Sequence, residues 1–129
     1  MSETDAFKKR LNALNSAQKE AVNTIEGPVM VIAGPGTGKT EILTLRIANI
    51  LDKTDTPPSG ILALTFTDSG ARAMRERLKS LIGSRAFEVP IHTIHGLASS
   101  VVARYPDRYP AIIGRALSGE KKKIEVITE

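Results

Sequence analysis

The chain has no cysteine. That removes a disulfide framework and any thiolate metal site, and it fits a reducing compartment, so a cytoplasmic location is expected. Aromatic side chains are scarce: Phe7, Phe66, Phe87, Tyr105 and Tyr109 are the whole set. Each one that is exposed is a candidate stacking group, although the ordinary role of an aromatic is to fill a core. No apolar run approaches the ~20 residues a membrane helix needs, so no membrane partner is expected. The opening Met1-Ser2-Glu3-Thr4-Asp5 lacks the basic-then-apolar order of a signal peptide. Neither sign of charge dominates: 18 Lys and Arg face 14 Asp and Glu, for a net charge of +4. Such an excess is compatible with nucleic acid as a partner and equally with an ordinary solvated surface. The 129 residues suffice for one domain with a real core.

What is present centres on Ala33-Gly34-Pro35-Gly36-Thr37-Gly38-Lys39-Thr40. These residues follow the apolar run Val29-Met30-Val31-Ile32 and open a stretch with helical periodicity. Strand, glycine-rich loop, Lys-Thr and helix in that order are the pattern of a phosphate-binding loop, and they point to a nucleoside triphosphate with Mg²⁺. Gly34, Gly36 and Gly38 lack Cβ atoms, which lets the backbone turn several N–H groups toward one anion. The helix that follows adds unpaired N–H groups and the positive end of its dipole. Lys39 supplies a point charge for the β- and γ-phosphates, and the Thr40 hydroxyl is placed to ligate Mg²⁺. Ala33 stands where the strict pattern begins with Gly. The bland alternative is a glycine-rich turn that binds nothing.

Along the rest of the chain, Thr4 or Asp5 suits the cap of a first helix with Phe7, Leu11 and Leu14 on one face. Asn15 or Ser16 suits the cap of a second, carrying Ala17, Ala21 and Ile25 and stopped by Gly27-Pro28. Val29–Ala33 is expected as a strand. The helix after the loop carries Ile42, Leu43, Ile47, Ile50 and Leu51. Residues 53–60 read as a surface loop. Ile61–Phe66 is a continuous apolar strand of the kind found in covered parallel sheets. Thr67 or Asp68 caps a helix whose stripe is Ala71, Met74, Leu78, Leu81 and Ile82, ended by Gly83. Val89–Thr93 is a short third strand and Gly96–Arg104 a short helix. Residues 105–110 suit a turn, Ala111–Leu117 has helical spacing, Lys121-Lys122-Lys123 is a solvated charge run, and Ile124–Ile127 suits a strand.

Strands alternating with helices predict an α/β fold with a parallel sheet flanked by helices. Ligands of such sheets sit beyond the carboxyl ends of the strands. The glycine-rich loop, Thr65-Phe66-Thr67 and Thr93-Ile94-His95 all lie at such ends, so three polar loops are expected along one edge.

The order of motifs resembles the amino-terminal part of a UvrD/Rep-like superfamily 1 DNA helicase. Leu14-Asn15-Ser16-Ala17-Gln18 looks like the Q motif, residues 29–40 like motif I, Ile61–Leu78 like motif Ia and Ile91–Ala98 like motif Ib. The phosphate loop alone is shared by many families; the ordered set of four is far more specific. The resemblance implies a P-loop NTPase, RecA-like fold. Residues 1–129 would then be an incomplete first motor domain, with an inserted subdomain beginning at about residue 106. It implies ATP and Mg²⁺ as ligands. Its partners would be single-stranded DNA, single/double-strand junctions and the rest of the helicase chain. By the same resemblance Gln18 would read adenine, although Asn15 and Gln18 stand three apart and could simply form a capping box. Ala33, Gly34, Pro35, Gly36, Thr37, Gly38, Lys39, Thr40 and Glu41 would hold the nucleotide. Thr65, Phe66 and Thr67 would meet single-stranded DNA, and Thr93 and His95 its backbone. The plain alternative for Phe66 is a core residue ending a buried strand, and for His92 and His95 a pair of polar strand-end residues.

Three positions depart from the family pattern. Asp68-Ser69 stands where Asn-Lys is common, Ile94 where an aromatic is common, and Glu41 where Arg is frequent beside the nucleotide. Phosphoryl transfer to water also needs an acid for Mg²⁺, a group that orients the water and an Arg for transition-state charge. The family takes these from an Asp-Glu pair and from Arg residues further along, and the chain contains no Asp-Glu pair. Residues 1–129 are therefore expected to be a piece of a larger motor and inactive as an ATPase alone. Two other classes suit part of the pattern. One is a small nucleotide kinase or AAA+ piece, in which Arg72, Arg75 and Arg77 would face an acceptor. The other is a non-catalytic nucleotide-binding module.

Overall fold

The computed structural model describes residues 3–109. The helix, charge run and strand expected after residue 110 lie outside the described residues, as does most of the subdomain expected from about residue 106. The described residues fall into two units, which divide after Ile94.

The first unit begins with two helices, α1 (Glu3–Asn12) and α2 (Ser16–Asn23). The helix α1 already includes Thr4 and Asp5, so those residues lie in its first turn rather than at its cap. Asn15 caps α2 through a reciprocal box. Its side chain accepts from the Gln18 N–H at 2.9 Å, and Gln18 Oε1 accepts from the Asn15 N–H at 3.0 Å. The helix stops at Asn23, before Ile25 and the Gly27-Pro28 stop. The Thr24 N–H makes the last bond of the ladder, to the Glu20 carbonyl, where its hydroxyl also donates; with ψ of 88° its backbone then leaves the helix.

Long helices α3 (Lys39–Lys53) and α4 (Asp68–Ile82) carry the core. Val22, Leu45 and Leu78 are fully buried, with Met74, Leu81 and Val89 around them. The stripe expected on α4 is observed, with Ala71 half-buried at its start. On α3 the buried face is broader than the spacing suggested: Thr44, Leu45, Ala48 and Asn49 are buried as well, while Leu43 is exposed. The reason is that α3 packs against α1 and α2 as well as α4. Two of its polar side chains end α2. Arg46 Nη1 donates to the Ala21 carbonyl at 2.7 Å and Asn49 Nδ2 to the Val22 carbonyl at 3.0 Å, satisfying acceptors that a helix end leaves open. Thr67 caps α4, its hydroxyl accepting from the Gly70 N–H at 3.0 Å. Gly83 closes α4 with φ of 60°, a conformation that costs a side-chain-bearing residue energy.

Two short parallel strands, β1 (Ala63–Thr65) and β2 (Ile91–Thr93), flank α4 in sequence and pair Ala63 with Ile91, Leu64 with His92 and Thr65 with Thr93. Between α4 and β2 the Arg75 guanidinium donates to the carbonyls of Ala86, Val89 and Ile91 at 3.3–3.5 Å. That side chain holds the turn after α4 and is committed to backbone, not to an acceptor substrate.

The strand expected at Val29–Ala33 is not formed among the described residues. Met30 is 85% exposed and Ile32 90%. An apolar run makes a segment fit for a sheet, but a strand exists only against a partner. Among the described residues, β1 and β2 pair with each other alone. The chain is thus helix-rich with a two-stranded parallel sheet, an α/β piece smaller than the sheet expected. In the second unit α5 (Ile94–Arg104) starts two residues earlier than Gly96, so His95 sits in a helical first turn and not in a loop. A single 3₁₀ turn at Pro106–Arg108 follows it.

Candidate functional site at the glycine-rich loop

Residues 34–38 form an exposed turn between the extended segment 28–33 and α3. Gly36 and Gly38 have φ of 72° and 80°, in the left-handed region that favours glycine; Gly34 does not. Two of the three glycines therefore serve the conformational role expected of them. Gly38 is the N-cap of α3 and supplies no side-chain cap, so the first N–H groups of the helix face the loop unpaired by a side chain. Thr37 Oγ1 donates to the Gly34 carbonyl at 2.7 Å and braces the turn from inside.

The Lys39 ammonium folds over the loop. It donates to the Ala33 carbonyl at 3.1 Å and to the Gly34 carbonyl at 2.5 Å. Neutral carbonyls are weak partners for a cation, and stronger acceptors at the same spot would displace them. Residues 36–41 line a hollow of about 320 Å³ together with Arg77 from α4. Two cations, Lys39 and Arg77, and a row of backbone N–H groups thus meet in one open concavity with a single carboxylate, Glu41. Such a concavity suits a polyanion.

Gln18 belongs to this region through its amide. While Oε1 closes the capping box, Nε2 donates to the Thr37 carbonyl at 3.2 Å. The capping alternative is therefore realised, and the same side chain also ties α2 to the loop. One lone pair and one hydrogen of the carboxamide stay outside these bonds. Glu41 lies in the first turn of α3, where its Oε1 is 3.6 Å from Arg10 Nη1.

At the carboxyl ends of the two strands, Thr65 and Thr93 stand side by side in register. Phe66 follows β1 and is 83% exposed, which removes the core role weighed for it. Thr65 Oγ1 donates to the Thr67 carbonyl at 3.0 Å, and the Thr67 hydroxyl is occupied as the α4 cap. His95 is exposed in the second unit.

The sequence offered Arg77 only among the arginines of the kinase alternative, and it did not assign Arg10 to the loop region. Arg77 precedes the buried Leu78 and so lies at the edge of the apolar stripe, where a long side chain reaches beyond its own helix. Arg10 carried no signal beyond its place in an amphipathic helix.

The UvrD/REP helicase N-terminal domain family matches residues 14–128. The ATP-dependent DNA helicase PcrA of Staphylococcus aureus (strain Mu50) is 45% identical over 98 residues, which is 76% of this chain and 13% of that protein. The PcrA protein of Staphylococcus epidermidis is 44% identical over 95 residues, 74% of this chain and 13% of the relative. The chain thus spans a small part of the length of the curated relatives it matches. With the family match running through the loop, both strands and the helices between them, the chain belongs to the UvrD/REP helicase N-terminal domain family.

Proposed function

We propose that residues 1–129 form the amino-terminal part of the first RecA-like motor domain of an ATP-dependent superfamily 1 DNA helicase, and that the hollow beside Lys39 takes the phosphates of Mg·ATP. The observation that carries this reading is the Lys39 ammonium poised on two loop carbonyls beside an uncapped helix start. Lys39 exchanges those carbonyls for β- and γ-phosphate oxygens, and residues 33–38 wrap the phosphates with backbone N–H groups. Arg77 adds a second cation. The Thr40 hydroxyl would hold Mg²⁺, whose charge would offset that of the phosphates. Gln18 uses its remaining lone pair and hydrogen on adenine. Glu41 lies beside the nucleotide, with its carboxylate 3.6 Å from Arg10 Nη1.

Single-stranded DNA runs past the strand ends in this reading. The exposed ring of Phe66 stacks on a base, and the hydroxyls of Thr65, Thr67 and Thr93 and the imidazole of His95 serve the backbone. ATP hydrolysis drives movement along the strand and opening of duplex at junctions, and the inserted subdomain begins near residue 106. Residues 1–129 alone turn over no ATP, because the acid for Mg²⁺ and the arginines of phosphoryl transfer lie elsewhere in the motor. No helix among the described residues is long and apolar enough to cross a membrane. A cytoplasmic location remains our proposal.

The test is strand-stimulated ATP hydrolysis and duplex unwinding by the intact protein. Lys39→Ala removes both. Unwinding at the unmodified rate by that variant refutes the reading.

A further inference from the structure

A carboxylate at the rim of a triphosphate site is out of place, since it repels the ligand. Glu41 is such a group: it lines the hollow together with Lys39 and Arg77. The structure shows what holds it. Arg10 of α1 reaches across to Glu41 with Nη1, 3.6 Å from Oε1. Its Nη2 donates to Ser80 Oγ at 2.9 Å, and Ser80 Oγ donates in turn to the Arg77 carbonyl at 2.6 Å. One guanidinium fork thus joins the first turn of α3 to α4, one turn beyond the residue that supplies the second cation of the hollow.

We propose that Arg10 is a positioning residue for nucleotide binding: by holding the Glu41 carboxylate it keeps a negative charge from the triphosphate and leaves Arg77 available to it. The inference rests on the hollow being a triphosphate site. It does not rest on a contribution to folding, because the two side chains are 34% and 28% exposed and an ion pair this wet adds little to stability. Its effect falls on the ligand. A triphosphate carries several negative charges, and each feels the change when a neighbouring carboxylate loses its partner. Without Arg10, Glu41 is left with the cations that line the hollow, Lys39 and Arg77. Its carboxylate then competes with the triphosphate for them.

The experiment is a titration of the intact protein with the β,γ-imido analogue of ATP and Mg²⁺, for the unmodified protein, Arg10→Ala, Arg10→Lys, Glu41→Gln and the double variant Arg10→Ala/Glu41→Gln, with melting temperatures alongside. Arg10→Ala weakens binding on the order of tenfold, the scale of one short-range charge acting on a polyanion. Arg10→Lys keeps most of the affinity. Glu41→Gln binds as well as the unmodified protein or better, and the double variant regains the affinity of Glu41→Gln. Recovery by removing the carboxylate is what a merely structural role for Arg10 would not give. Unchanged binding by Arg10→Ala overturns the proposal, and so does a double variant as weak as Arg10→Ala alone. If the unmodified protein binds no analogue, the triphosphate reading itself falls and takes this inference with it. Binding that is lost in Lys39→Ala but indifferent to Arg10 overturns the inference alone.

Discussion

Gln18→Ala separates the two jobs assigned to one side chain. In the structure Oε1 accepts from the Asn15 N–H at 3.0 Å and Nε2 donates to the Thr37 carbonyl at 3.2 Å. A carboxamide has two lone pairs and two hydrogens, so one of each is left for a ligand. The edge of adenine offers an amine donor and a ring-nitrogen acceptor, which match that remaining pair. Each such bond contributes ~0.5–1.5 kcal/mol net, so truncation should cost ~1–3 kcal/mol, roughly five- to 150-fold in Kd for Mg·ATP. Inosine triphosphate carries a carbonyl in place of the amine and loses one of the two bonds. The unmodified protein should therefore prefer ATP to inosine triphosphate by roughly two- to tenfold, and Gln18→Ala should show no preference. The lost half of the capping box should lower stability by only ~0.5–1 kcal/mol, because Asn15 is exposed and water replaces the bond. Calorimetric titration with both nucleotides, with thermal denaturation as the control, measures both effects. A variant that keeps the ATP preference refutes base reading. Gln18 would then act only on the loop, through Thr37.

Asn49→Ala should cost ~1–3 kcal/mol in chemical denaturation, because the buried Val22 carbonyl loses its donor; a cost below ~0.5 kcal/mol would contradict the role of Asn49 in ending α2. Leu78→Ala empties the centre of the α3–α4 core and should cost ~3–5 kcal/mol in the same assay, a smaller loss meaning that the site collapses. Phe66→Ala should leave stability and nucleotide affinity unchanged while weakening single-strand binding by ~1–3 kcal/mol whatever the sequence. Equal strand affinity in fluorescence anisotropy would count against the stacking role.

Local chemistry was the most legible part of the chain. The Asn15/Gln18 spacing announced a capping box, the stripe from Ala71 to Ile82 announced the buried face of α4, and Gly83 announced its end. These features depend on residues within a few positions of one another. The extended segment before the glycine-rich loop shows the limit. Val29–Ile32 has the composition of a buried strand, yet pairing depends on a neighbour that its own residues do not specify. The register of Thr65 with Thr93 was likewise beyond the sequence, since it follows from how α4 spans the two strands. At the site, the loop itself was readable because glycine, lysine and threonine at that spacing are the residue types a phosphate-binding loop requires. Its surroundings were not. Arg10, Arg75 and Arg77 are all arginines on helices, and only packing decides their fates. One holds Glu41, one holds three backbone carbonyls, and one lines the hollow. Gly34 adds a smaller lesson, since it stands in the motif without using the backbone freedom that Gly36 and Gly38 require.

The central claim is that the hollow beside Lys39 is a nucleotide phosphate site. Calorimetric titration of residues 1–129 with Mg·ATP, with Lys39→Ala alongside, tests it most directly. Hydrogen bonds to a charged group contribute ~1.5–3 kcal/mol, so saturable binding should weaken by roughly ten- to 150-fold in the variant. Saturable binding with equal affinity in the two proteins would contradict the claim.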